Sequence, residues 1–308
     1  MAMAFRLKPH KSPTGEIVRI ARRQIDRAAA EAGATGRATE RIHQGRTRCK
    51  KIRALLRLIR PHDEKFYRRE NLRFRDAARP LSVLRDAEVM LASLDRLLRQ
   101  NGLAPDQPDF GEVHRCLRAY REKLLPSAAE TELELSRFAQ RMRREKRRFE
   151  GLEKVGFAAI AEGLGLTYRR GRREMRRARE EEAAENFHEW RKQVRYFRYQ
   201  VRLLRRAWPP MMKKIERQAK MLSDLLGEEH DLDMLDQFLR TGSGRNAGSK
   251  ISPRLAELIG RRRREIRAES LALGEQLFAE NPAAFGRQVT QWWKIARRRA
   301  RTAKKNAG

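Results

Sequence analysis

Cysteine is nearly absent: Cys49 and Cys116 are the only two in 308 residues. That number excludes a disulfide scaffold and a zinc site built from several cysteines, and it fits a reducing cytosol, so a cytoplasmic location is expected. Aromatic residues make up 7% of the chain, too few for repeated base-stacking platforms. No stretch approaches the roughly 18 consecutive apolar residues of a membrane span. The opening MAMAFRLKPHKSPTGE lacks the apolar core of a secretory signal. No run alternates β-branched and polar residues with period two, so no strand is expected. Acids are also scarce: 40 Asp and Glu stand against 72 Lys and Arg, a net charge of +32. Such an excess repels itself in a compact chain. A polyanion is the natural compensation, whether nucleic acid, an anionic membrane surface or inorganic polyphosphate.

What is present reads as helix almost throughout, dominated by Ala, Leu, Arg, Glu and Lys. Proline and glycine supply the punctuation. They predict helices near 16–33, 38–60, 62–79, 84–100, 109–125, 127–149, 157–181, 183–208, 210–226, 229–240, 253–280 and 283–302, with a break at Gly227. The longest loops fall at 101–109 and 241–253, at nearly the same place in each half. The boundary between halves is placed near Gly151–Gly156, giving repeats over 1–152 and 153–308.

One pattern occurs twice with unchanged spacing: a histidine followed by basic residues at +3, +7, +10 and +14. The first copy is His43, Arg46, Lys50, Arg53 and Arg57; the second is His188, Arg191, Arg195, Arg198 and Arg202, each displaced by 145. On a helix advancing about 100° per residue, the five positions fall in one stripe about 80° wide. Solvated charge is ordinarily scattered and mixed with acids, whereas this row contains none. At about 1.5 Å per residue each row spans about 21 Å, enough for several phosphates. Opposite lie Ile52, Leu56 and Ile59 in the first copy and Trp190, Val194, Phe197, Val201 and Leu204 in the second, so each helix has an apolar core face. Tyr196 and Tyr199 lie beside the second row and are candidates to flank a ligand. Next to phosphate, the two leading histidines are expected to stay protonated and donate from both nitrogens.

A second block recurs at the same displacement, LSVLRDAEVML at 81–91 and LGEEHDLDMLD at 226–236. Three readings are open. Acids in a first turn complement the helix dipole and cap free amides. Alternatively, Asp86 and Asp231 orient the arginines of the basic rows. Thirdly, Glu228, Glu229, His230, Asp231 and Asp233 suit a divalent ion, although Arg85 stands where the second copy has His230.

The opening FRLKP…IVRIARRQID, the two H-x2-R-x3-[KR]-x2-R helices, the LTYRRGRR element and the LSDLLGEEHDLDML block together resemble the CHAD domain, the conserved-histidine α-helical domain. The resemblance implies an all-α fold of two four-helix-type bundles related by internal pseudo-symmetry. It also implies a basic central groove or pore that binds inorganic polyphosphate. The groove is expected to hold both basic rows, with Arg19, Arg22, Tyr168, Arg169, Arg172 and Arg173 along its walls. Relatives occur alone or fused to CYTH-type triphosphatases; the ExExK signature of those enzymes is missing here. The expected activity is therefore non-catalytic polyphosphate binding, with possible targeting to polyphosphate granules and no cofactor. Nucleic-acid binding and a metal-dependent polyphosphate-processing enzyme stand as alternatives.

Overall fold

The computed structural model describes residues 5–124, 127–241 and 252–305, and the side chains among them except those of 82–87, 124, 304 and 305. It is all-helical. Eleven α-helices are assigned: α1 (Pro13–Ala32), α2 (Ala38–Ile59), α3 (Glu64–Ala78), α4 (Pro80–Gln100), α5 (Pro108–Leu124), α6 (Ala128–Glu145), α7 (Phe157–Glu180), α8 (Ala184–Leu203), α9 (Pro209–Arg240), α10 (Pro253–Leu277) and α11 (Pro282–Lys305). A short 3-10 helix, Lys146–Gly151, follows α6. Among the described residues no helix is long and apolar enough to cross a membrane.

Helix starts are written in the sequence. Proline occupies the first turn of α1, α4, α9 and α10, where its missing amide proton costs nothing and its fixed φ already suits a helix. Asp63 caps α3 by accepting from the Phe66 amide at 2.8 Å. Ser127 and Glu130 form a reciprocal capping box on α6.

The expected break at Gly227 does not occur: α9 runs unbroken through 32 residues. A glycine inside a helix costs only about 1 kcal/mol relative to alanine, which flanking packing easily overrides. In the first half, Pro80 does interrupt, because it cannot donate and crowds the preceding turn. As a result α3 and α4 together occupy, 145 residues earlier, the span that α9 covers as one rod. The helix-cap reading of the acidic block fails for Asp231, which lies in the interior of α9.

The order of packing repeats: α1 lies against α2 and α6, while α7 lies against α8 and α11. Two hydrophobic cores form, and each draws on both halves. The larger joins buried residues such as Ile25, Ile52, Leu56 and Phe74 to Tyr168, Trp190, Phe197 and Leu222. The smaller gathers Leu94, Leu98, Phe110 and Leu117 with Leu235, Leu255 and Ile259. The stretch 152–156, where the repeats are divided in sequence, is non-helical, but burial is continuous across the two halves. The tightest crossing is at Gly163 of α7, where an added Cβ would lie 2.2 Å from the Leu58 carbonyl oxygen of α2. Only a glycine lets these backbones come so close.

Candidate functional site

The larger core positions α2 and α8 side by side. Their apolar faces, including Ile52, Leu55 and Leu56 on one and Trp190, Val194 and Phe197 on the other, are fully buried. Once those stripes face inward, helical geometry turns the basic rows to the opposite side. The helices are also tied directly: the buried Gln200 amide donates to the Ala54 carbonyl oxygen at 3.1 Å. Arg57 crosses from α2 to α8, its guanidinium 3.7 Å from the centroid of the Tyr196 ring. Tyr196 and Tyr199 are themselves largely buried; Arg57 covers the Tyr196 ring, while Tyr199 lines the basic cavity beside α8.

Two basic cavities flank this seam. The first, about 440 Å³, is lined by Arg46, Lys50 and Arg53 of α2, Arg75 and Ala78 of α3, and Arg79. The second, about 450 Å³, combines His43, Lys50 and Lys51 of α2 with Arg191, Arg195, Arg198 and Arg202 of α8. Asp224, Glu228 and Asp231 of α9 and Arg96 of α4 complete its charged wall. Adding 145 to Arg46, Lys50, Arg53, Ala78 and Arg79 gives Arg191, Arg195, Arg198, Ser223 and Asp224, all in the second lining. Five lining positions thus recur between the two cavities, and Lys50 belongs to both.

Arg53, Arg57, Arg198 and Arg202 are held in place without being saturated. Arg53 Nε and Arg57 Nη1 both donate to the Asn71 side-chain oxygen, at 3.0 and 2.8 Å. Arg198 lies 3.9 Å from Asp224, and Arg202 lies 3.8 Å from Glu216, which also faces Arg205 at 3.7 Å. Arg191 stands 3.9 Å from Asp231. These separations exceed hydrogen-bonding distance. Ion pairs away from the seam are closer, as for Arg48–Glu31 at 2.5 Å and Arg263–Asp233 at 2.7 Å. Burial lowers the pKa of both Arg57 and Arg195, even with tyrosines nearby acting in the other direction. A guanidinium does not give up its proton, so each stays a partly desolvated cation that an entering anion would stabilise.

His188 sits differently from expectation. Its Nδ1 is 3.0 Å from Nδ1 of His230, so one ring donates and the other accepts. Desolvation, then the charges of Lys192 and Arg191, brings His188 down to about 4; desolvation and Arg191 bring His230 to about 3. Both rings are thereby held neutral at pH 7. His43 is exposed and lines the second cavity.

The remaining expected residues lie elsewhere. Tyr168 is buried among Phe197, Phe278 and Phe285, stacked on the last at 4.6 Å, and its hydroxyl donates to the Glu280 carbonyl oxygen. It is a core residue joining α7 to α11. The sequence carried the signal, since Tyr168 continues the buried series Ile160, Leu164, Gly171 and Met175. Arg172 reaches the same Glu280 carbonyl, Arg173 pairs with Glu174, Arg19 with Glu16 and Arg22 with Glu150. Arg169 is exposed. None of these six lines either cavity. Asp86 falls outside the described side chains, and Asp231 stands beside Arg191.

Glu228, Glu229 and Asp233 are engaged by α10. Glu229, 1% exposed, accepts from Arg263 and from Arg267 at 2.8 Å, while Glu228 pairs with Arg262 at 2.8 Å. Among the described residues no cluster of three His, Cys, Asp or Glu side chains is placed to hold a metal ion. Asn71, Glu216, Asp224, Ser223, Thr47 and Lys51 were not singled out by the sequence. The first two could have been found by carrying the 145-residue displacement beyond the rows, since 71 maps onto 216.

The search among curated proteins gave no match. The family model of the CHAD domain matches residues 19–240, which contain both basic helices, both cavities and the helix pair His188 and His230 join, and the chain belongs to that family.

Proposed function

We propose that this chain binds inorganic polyphosphate along the two linked cavities, without cleaving or extending it, and that it can thereby associate with polyphosphate granules. The observation that carries this reading is the gathering of Arg191, Arg195, Arg198 and Arg202 around one cavity, with the carboxylates nearest Arg198 and Arg202 at 3.9 and 3.8 Å. Asp224 and Glu216 hold Arg198 and Arg202 in position but leave their N–H donors for an entering anion. Planar guanidinium forks suit tetrahedral phosphates bidentately, and Lys50 provides continuity from one cavity to the other. A flexible chain of phosphates has no bases to stack. Among the described residues the aromatics lining the two cavities are the buried Phe74 and Tyr199, which offers little ring face and favours it over single-stranded nucleic acid, held largely on exposed aromatic faces. The sequence contains no Gly-x4-Gly-Lys-[Ser/Thr] loop, and each acid lining the second cavity has a cationic neighbour, Lys220 for Asp224, Arg262 for Glu228 and Arg191 for Asp231, which supports binding over turnover.

Competition at about 0.15 M salt tests the proposal: long-chain polyphosphate, single-stranded DNA and RNA displace a labelled polyphosphate, compared per phosphate. Polyphosphate should compete at a concentration at least about tenfold lower, with affinity falling steeply as salt rises. Equal competition by the three would overturn polyphosphate selectivity. Phosphate release with Mg²⁺ or Mn²⁺ would overturn the non-catalytic assignment.

A further inference from the structure

Lys51 is unlike the other amines near the groove. It lines the second cavity with Arg195, Arg198 and Arg202, yet its Nζ makes no hydrogen bond or ion pair with a described residue. Lys192, by contrast, pairs with Glu189, and Lys220 with Asp224, each at 2.5 Å. The ammonium of Lys51 lies 5.9 Å from the Phe5 ring centroid. The charged groups facing it are Arg48 of its own helix, Arg27 and Glu31 of α1 and Arg202 of α8, three cations against one acid. Burial first, then Arg48 and Arg202, brings its pKa down to about 8. Roughly a quarter of the side chain is then the neutral amine at pH 7.5, against about one part in a thousand for an ordinary lysine.

We propose that Lys51 is a phosphate-directed acylation site, taking an acyl group from an acyl phosphate whose phosphate is seated on the cavity arginines. The inference rests on the reading of this cavity as a phosphate site. In the step, the Nζ lone pair attacks the acyl carbon. The bond from that carbon to the bridging oxygen breaks, and inorganic phosphate leaves with the electron pair. The proton lost from Nζ passes to the departing phosphate or to water. The arginines contribute twice, by holding the donor close to the amine and by stabilising charge on the leaving phosphate. The product amide is uncharged, so modification removes one cation from the groove and weakens its hold on a polyanion.

The test incubates the full chain with acetyl phosphate and, separately, with N-acetoxysuccinimide, a donor without phosphate. Initial acetylation rates at each lysine are read by peptide mass spectrometry, and polyphosphate binding is titrated independently on the same preparation. Acetyl phosphate should label Lys51 at least about tenfold faster than Lys192 or Lys220, and inorganic pyrophosphate should suppress that labelling. With N-acetoxysuccinimide the preference should be smaller and insensitive to pyrophosphate. Uniform labelling by acetyl phosphate in a chain that binds polyphosphate overturns the Lys51 proposal and leaves the groove reading standing. Equal preference with both donors overturns phosphate direction. If polyphosphate does not bind, the groove reading fails, and pyrophosphate-sensitive labelling of Lys51 still supports a small phosphate site. Because the labelling is measured on the unsubstituted chain, misfolding of a variant does not enter.

Discussion

The two cavities share five lining positions 145 residues apart, and they differ in how their charge is balanced. In the first, Arg53 and Arg57 converge on Asn71, a neutral acceptor that orients both guanidinium groups without cancelling either charge. In the second, the equivalent of Asn71 is Glu216, and Asp224 stands where the first copy has Arg79. The basic rows recur at a constant displacement while their surroundings differ. The second site keeps acids at 3.8–3.9 Å from its arginines, which lowers the cost of gathering cations in the absence of ligand. The first achieves orientation with an amide, leaving more of its charge for the ligand. Equal rows thus need not contribute equally: the first should dominate affinity.

The largest expected effect comes from breaking both copies at once. Replacing Arg53 and Arg198 together with alanine should weaken polyphosphate binding more than about a hundredfold, since each charge-assisted hydrogen bond is worth roughly 1.5–3 kcal/mol. Isothermal titration of this variant beside Arg298→Ala/Arg301→Ala, which removes two exposed charges of α11, separates site from bulk charge. Similar losses in both would reduce the groove to a nonspecific basic surface. Of the two single variants, Arg53→Ala should lose more.

Next in size is the contact that sets the spacing of the halves. Gly163→Ala places a methyl against the backbone of Leu58 and should destabilise the fold by about 1–3 kcal/mol, seen as a lower midpoint in urea. An unchanged midpoint would mean that α2 and α7 can separate freely. Exchanging the orienting groups sharpens the comparison further. Asn71→Asp should lower polyphosphate affinity by about tenfold, by giving Arg53 and Arg57 a competing carboxylate. Glu216→Gln should raise affinity by about threefold, since it removes a loosely placed acid. Opposite signs in the titrations are the expected result; the same sign in both would show that charge balance is not what distinguishes the copies.

The smallest effect concerns the histidines. His188 and His230 titrate near 4 and 3 in the folded chain, below the roughly 6.5 of an unfolded histidine. Between those values the unfolded state binds more protons, so stability rises with pH there. It is fully present above about pH 6.5 and is lost as pH falls toward 4. Urea midpoints measured from pH 7 to pH 4.5 should decline more steeply in the unsubstituted chain than in His188→Gln/His230→Gln. Parallel curves would show that the pair is not held neutral.

Much of this architecture was legible in the chain. Helix identity followed from composition and from proline starts, and the basic rows were visible because their offsets fall within one stripe opposite an apolar one. The division of α9 at Gly227 was misread because glycine weakens a helix without ending it. Gly227 in fact lines the second cavity, where an added Cβ would lie 3.9 Å from Arg191 Nη2. Arg19, Arg22, Arg172 and Arg173 are on the right kind of helix but turn toward local acids and carbonyls, and Arg169 is exposed away from both cavities. Which neighbour a surface arginine meets depends on tertiary packing, and helical periodicity does not encode it. The neutral His188–His230 pair was hidden for the same reason, because its desolvation arises only when α8 and α9 meet.

The most direct test of the central claim is a crystal structure of the chain with long-chain polyphosphate. The account predicts phosphates within hydrogen-bonding distance of Arg53 in the first cavity and of Arg198 in the second, with the chain passing Lys50 between them. Phosphates gathered on the exposed arginines of α6 or α11, with neither cavity occupied, would contradict it.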